Sequence, residues 1–341
     1  MWLGIASFVM AALMLIALLS LRIANGIRSR RAQTFNAKWR NVLLQSIDDA
    51  PPAPPALEDA DAYEFLKEWN RMQESLRGEA NERLNALALK LGADRHAWRF
   101  LNCGDTRKEL IAILTLGNLR DFTARSDIDD LLDHDSPIIS LRAAQALLRI
   151  APEALARVLA TAASRLDWPM PRMITLLREI PPEVVSAELI RTIDANIETP
   201  NAMRRVPRLL KLIDAAHAEL VRPAVLRVLQ RLPDAESIAA ALAALRHPDD
   251  VAYARKYAAH PEWHVRLKAA MALGRIGAPE DFDLLMALLA DHNWWVRHRA
   301  AHAIVHLPWI DLEQLQGTIG DLHDSFAADA LRHAIAGQEL A

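Results

Sequence analysis

Apolar positions in this chain run first without interruption and then with a helical period. From Trp2 to Leu21 (WLGIASFVMAALMLIALLSL) no side chain is charged, and Ser7 and Ser20 are the only polar ones. Twenty such residues rise about 30 Å as a helix, which predicts a transmembrane anchor over residues 1–21. Residues 28–47 predict a basic amphipathic helix with Phe35, Trp39, Val42 and Leu43 on one side. It falls within a basic juxtamembrane segment, 22–50, and is expected near the membrane surface or as an extension of the anchor. Pro51-Pro52-Ala53-Pro54-Pro55 breaks any helix and makes residues 51–57 a short, stiff spacer. Phe65, Trp69, Met72 and Leu76 then mark a helix from Glu58 to Arg77, which Gly78 ends.

From there a repeat emerges. VRLKAAMALGRIG (265–277) aligns without gaps on VRHRAAHAIVHLP (296–308), an offset of 31 residues. ISLRAAQALLRIA (139–151) fits the same template, and LIAILTLGNL (110–119) fits its second half. The last large apolar position of each unit runs Leu119, Ile150, Ile180, Leu212, Ile276, Leu307. One degenerate member is missing near Ala244 or Leu245. A period in this range means stacked helix pairs, none of which can bury its apolar face alone. The Ala-Ala pairs at 143–144, 269–270 and 300–301 let neighbouring helices approach closely. Turns are marked by Asp135-Ser136-Pro137, Ile180-Pro181-Pro182, His247-Pro248-Asp249 and Gly277-Ala278-Pro279. The fold class is all-α, an α-solenoid over residues 58–341.

These segments resemble short HEAT repeats, the roughly 30-residue class also described as phycobilisome-lyase-like. The resemblance is good over 105–151 and 260–308 and rests on period alone over 152–259. It implies a scaffold for protein partners and no chemistry. The family pattern pairs an Asp in the turn with the Arg after Val. Asp291 and Arg297 match it, whereas the equivalents His260 with Arg266, and His134 with Ser140, do so in part or not at all.

Charge and cysteine usage then set orientation and compartment. Arg22, Arg28, Arg30, Arg31, Lys38 and Arg40 follow the apolar run with no acid before Asp48. The positive-inside rule therefore puts Met1 outside and the solenoid in the cytoplasm, at the cell (inner) membrane. A cleaved signal peptide is the competing reading; it would need a basic start and a shorter apolar core. Residues 51–341 keep 34 basic and 41 acidic side chains, a net of about −7. Such a body is a poor general binder of nucleic acid, whose affinity rests on neutralising phosphates. Cys103 is the sole cysteine, so no intrachain disulfide is possible, which suits a reducing compartment. Its apolar surroundings (WRFLNCGD) read as core.

Catalytic patterns are thin. Nucleophile elbows, glycine-rich phosphate loops and Cys-x-x-Cys pairs are absent from the sequence. His298, His302 and His306 are spaced i, i+4, i+8, which suggests a zinc site. The outer two lie about 12 Å apart along a helix, too far to share one ion, and the repeat makes His298 a packing position. Asp127, Asp129, Asp130, Asp133 and Asp135 interleave with Ile128, Leu131 and Leu132, the pattern of a solvated helix face. Neither metal nor cofactor is expected.

Tryptophans recur at the starts of the repeated helices: Trp168, Trp263 and Trp294. Stacking would gather them at one edge beside Arg172, His264, Arg266, Trp295 and Arg297. These eight residues are the candidate partner-binding site, because aromatics with arginine make binding hot spots. The alternative is that they staple one repeat to the next. The expected function is a membrane-anchored adaptor that is not an enzyme and docks protein partners, as an accessory subunit of a membrane complex. A HEAT-like DNA glycosylase and a bilin lyase-type enzyme are the enzymatic alternatives. The charge of the binding face discriminates: basic favours nucleic acid, apolar or mixed favours protein.

Overall fold

The computed structural model describes residues 14–15, 36–48, 54–322 and 324–339. They are helical throughout, with no strand among the described residues, and they form two compact units, 1–152 and 153–341. No helix among them is long and apolar enough to cross a membrane. The anchor expected at 1–21 lies outside the described residues except for Met14 and Leu15, which are helical.

In the first unit, a π-helical turn at Asn36–Arg40 leads into α1 (Asn41–Asp48), followed by α2 (Asp59–Ser75), α3 (Glu79–Lys90), α4 (Ala93–Leu101) and α5 (Thr106–Leu119), then α6 (Arg125–Asp130) and α7 (Pro137–Ile150). Of the basic amphipathic segment expected over 28–47, residues 36–47 are described, and they are helical. Trp39 and Leu43 are fully buried. Trp39 meets Phe65 edge-on at 4.9 Å and donates from Nε1 to the Asp61 carboxylate at 3.2 Å, while Lys38 pairs with Asp61 at 2.9 Å. Trp39 and Leu43, on the apolar side read from the sequence, are covered by protein, because α2 offers a buried stripe of its own, Phe65, Leu66 and Trp69. A polar seam crosses the core above it: Asn70 Nδ2 donates to Thr115 Oγ1 and Asn118 Nδ2 to Asn70 Oδ1, each at 2.8 Å. Cys103, expected in the core, is exposed in the turn after α4. The acids of 127–135 interleave with Ile128 and Leu132, both fully buried, as an exposed face does.

The second unit alternates two layers. One contains α8 (Leu155–Ser164), α10 (Pro182–Ile197), α12 (Ala218–Arg231), α14 (Val251–Tyr257), α16 (Phe282–Leu289) and α18 (Leu312–Asp321). The other contains α9 (Met170–Leu177), α11 (Ala202–Leu210), α13 (Ala235–Ala244), α15 (Trp263–Ile276), α17 (Trp294–Val305) and α19 (Ser325–Glu339), of which α11, α13, α15, α17 and α19 stack in sequence. The degenerate repeat is present: α13 ends at Ala244, and Leu245 is buried in the place of Ile276 and Leu307. Its kin over 152–259 escape the template because α9 spans only eight residues and prolines sit inside α11 (Pro207) and α12 (Pro223).

Small residues set the spacing in one register in both units. A Cβ on Gly117 of α5 would lie 2.7 Å from Ala146 Cα of α7, and one on Gly274 of α15 would lie 2.5 Å from Ala303 Cβ of α17. In each case the position two before the last large apolar residue of one repeat (Leu119, Ile276) meets the position four before that of the next (Ile150, Leu307). The Ala-Ala pairs are fully buried beside these contacts.

Arginine–aspartate forks tie successive repeats of the second unit together. Arg222 of α12 holds Asp250 at 2.9 and 2.8 Å, and Arg255 of α14 holds Asp281 at 2.5 and 3.0 Å. Arg266 of α15 holds Asp291 at 2.6 and 3.0 Å, with both side chains buried, and donates to the His260 and Pro261 carbonyls. Burial alone would raise the pKa of Asp281 and Asp291, but hydrogen bonds from Arg255 and Arg266 and from the Ala278 and Asn293 amides reverse this. Both carboxyls end below the ordinary range. The pairing expected within one repeat, Asp291 with Arg297, thus takes a different form. Arg266 of the preceding repeat has the carboxylate, and Arg297 donates to the Asp291 carbonyl at 2.7 Å.

Candidate functional site

An open groove of about 580 Å³ runs across α11, α13, α15 and α17 of the second unit. Its floor is small: Ala239, Ala240 and Ala243 on α13, with Leu267 and Met271 on α15. Two tryptophans flank it, each delivered by a helix start. Trp263 is the first residue of α15, and Trp295 is the second of α17, its amide bonded to Asn293 Oδ1 at 2.9 Å. Side chains at such positions lean back over the preceding turn, so these indoles reach the groove. They remain 40% and 52% exposed, unusual for so large an apolar surface.

Polar groups complete the wall: four cations, Lys211, Arg246, Lys268 and Arg299, against two carboxylates, Asp214 and Glu236, with His264 between. Arg246 pairs with Asp214 at 3.0 Å and, together with Arg275, donates to the Ala243 and Leu245 carbonyls that end α13. His264 lies 4.0 Å from Glu236, and its Nε2 has no hydrogen-bond partner. Lys211, Lys268 and Arg299 form no ion pair with any described carboxylate. Partial burial pulls the Lys268 pKa down, and its charged neighbours Arg299, Arg275 and Lys211 add to the shift. The groove therefore carries mixed chemistry with an excess of positive charge, in a chain whose formal net charge is −3.

The eight residues proposed from the sequence separate into three groups. Trp263, His264 and Trp295 line the groove. Trp294 is exposed beside it, edge-on to Trp295 at 4.6 Å and stacked on His298 at 5.0 Å. The other four do not line it, and three of them have structural surroundings. Trp168 is buried, only 2% exposed, because it precedes α9 where Arg208 of α11 gathers the Ala162, Arg165 and Trp168 carbonyls into the core. Arg266 is buried in its fork with Asp291, and Arg297 lies over the Phe326 ring at 5.4 Å. Arg172 is exposed on α9, away from the groove.

Lys211, Asp214, Glu236, Arg246, Lys268, Met271 and Arg299 were missed by the tryptophan-based search. A signal existed for two of them. The residue before each Ala-Ala pair is Arg142, Lys268 or Arg299, a basic position recurring with the repeat. The histidine set is a ladder, not a cage: His298 meets His302 at 4.5 Å, and His302 meets His306 at 6.1 Å. Among the described residues no three His, Cys, Asp or Glu side chains converge on a metal position.

Comparison with known proteins agrees with the repeat. The HEAT-repeat family matches residues 238–305, which span α13 to α17 and hence most of the groove. No curated protein matches the chain at a significant level. Among solved structures, human deoxyhypusine hydroxylase in complex with glycerol is 18% identical, covering 72% of this chain and 96% of its own, with a TM-score of 0.31. An engineered protein is 16% identical, covering 86% and 87%, with a TM-score of 0.29. The described residues are all-α, and residues 238–305 match HEAT repeats, a class that commonly mediates protein–protein contacts.

Proposed function

We propose that this chain is a membrane-anchored scaffold that docks a protein partner in the groove across α11, α13, α15 and α17, and that it acts by binding rather than catalysis. The observation that carries the reading is the pair of half-exposed tryptophans, Trp263 and Trp295, flanking an alanine-floored groove lined by both signs of charge. Exposed indoles around a small-residue floor suit the anchors of a partner surface, and mixed charge suits protein better than a polyphosphate backbone. The anchor is supported by the uncharged run of residues 2–21, and the arginines that follow it support a cytoplasmic orientation of the repeats under the positive-inside rule.

The test uses the full chain, immobilised in mild detergent, with partners recovered from a lysate and identified by mass spectrometry. Trp263→Ala with Trp295→Ala abolishes recovery of the specific partner and leaves the melting temperature within about 2 °C, an allowance below what 1 kcal/mol would move it. Unchanged recovery, or the loss of about 3–5 kcal/mol that follows truncation of a buried tryptophan, sinks the groove as a docking site. A cytoplasmic reporter fused after Ala341 is active and an exported one silent; the reverse pattern overturns the orientation.

A further inference from the structure

We infer that the groove takes an acidic segment of its partner, with an apolar side chain seated between Trp263 and Trp295 and carboxylates set against Lys211, Lys268 and Arg299. The inference rests on the docking reading above and adds the chemistry of the occupant. Elsewhere in this unit arginines find carboxylates: Arg222, Arg255 and Arg266 each fork an aspartate of the next repeat. Arg246 and Arg275 are used on the carbonyl end of α13. Three cations of the groove are left over, Lys211 at the end of α11, Lys268 on α15 and Arg299 on α17, and they line one groove. Lys268 sits half-buried among like charges, and its one close polar contact is the Met271 sulfur at 3.9 Å. Such an arrangement disfavours the empty groove electrostatically and favours an incoming carboxylate by the same amount of field. The alanines leave room for backbone or a narrow helix, and Met271 with the two indoles offers adaptable apolar contact.

A nucleic acid would also meet the cations, but Asp214 and Glu236 in the same wall oppose a continuous phosphate backbone. A peptide can set its acids by register and avoid them. Hence the acidic peptide is the occupant the charges select.

The experiment measures fluorescence anisotropy of a labelled amphipathic peptide of glutamates and leucines against the full chain in mild detergent. Its lysine-for-glutamate counterpart and an oligothymidylate of equal charge serve as comparators. The expected result is binding of the acidic peptide only, weakened at least tenfold by Lys211→Glu with Lys268→Glu and within twofold of the parent for Arg191→Glu on α10, outside the groove. Lys211→Gln with Lys268→Gln gives an intermediate loss and, having no new charge, guards against misfolding of the reversal. Acidic-peptide binding unaffected by these substitutions overturns the inference, as does equal or tighter binding of the oligothymidylate that the same substitutions remove. If partner recovery depends on Trp263 and Trp295 but not on Lys211 and Lys268, docking stands and the acidic occupant fails. If it depends on neither pair, docking itself fails.

Discussion

Basic side chains meet two fates in the second unit. Arg222, Arg255 and Arg266 each reach forward one repeat and close a two-pronged bond on a carboxylate that is almost inaccessible. In the groove, Lys211, Lys268 and Arg299 meet no described carboxylate, and Lys268 is held among like charges. The first group binds repeat to repeat; the second does nothing for the fold that geometry reveals and opposes it slightly. Cations that hold the repeats together and cations that line the groove are thereby different residues of one stack. The first unit makes the same point from the other side. Arg142, the repeat equivalent of Lys268 and Arg299, bonds Gln145 at 2.9 Å, and Arg149 reaches Asn118 of the neighbouring helix.

The contrast breaks most visibly at Asp291. Asp291→Ala leaves Arg266 buried without its carboxylate and is expected to cost about 3–5 kcal/mol in denaturant unfolding. A loss under 1 kcal/mol would show that the fork contributes little. Arg255→Ala acts on a pair whose arginine is partly exposed and whose aspartate keeps the Ala278 amide at 2.8 Å. The expected cost is about 1–3 kcal/mol, measured in the same way.

Acid probes the same forks without mutation. Asp281 and Asp291 have folded pKa values below their ordinary 3.8, so the folded state holds their protons less tightly than the unfolded state. Their stabilisation is complete above the unfolded value and is lost as pH falls through the folded one. Melting temperature should decline below about pH 4–5, and Asp291→Asn should flatten part of that slope. An unchanged slope would separate acid lability from the Arg266 fork.

The smallest effect has the opposite sign. Lys268→Met removes a partly buried cation from like-charged neighbours and should raise the melting temperature by about 1–3 °C at pH 7. Because the Lys268 pKa is lowered on folding, the parent should approach the variant as pH rises through the folded value toward 10.5. Destabilisation by Lys268→Met would mean that the lysine supports the fold and would remove the contrast between the two groups of cations.

Much of the helical order was legible because it is written in local chemistry. The 31-residue offset between VRLKAAMALGRIG and VRHRAAHAIVHLP placed α15 and α17, and the spacing of apolar ends anticipated the degenerate helix that ends at Ala244. Aromatics at helix starts pointed to Trp263, His264 and Trp295 in the groove. The same rule failed at Trp168, because whether an indole at a helix start is covered depends on its neighbours, and there α11 with Arg208 closes over it. At Trp39 the amphipathic stripe called for an apolar cover, and the structure supplies Phe65 of α2.

By itself, then, the sequence determined the helices, their period and the small residues that set their spacing, since turn chemistry, capping and 3.6-residue periodicity act within a few positions of one another. Only the tertiary structure decided which charges find partners. Arg266 and Asp291 are 25 residues apart, Arg222 and Asp250 28, and the meeting of Lys211, Lys268 and Arg299 spans three stacked helices or their ends. A Coulomb interaction depends on distance and burial in space, and both are settled only when one repeat comes to rest on the next.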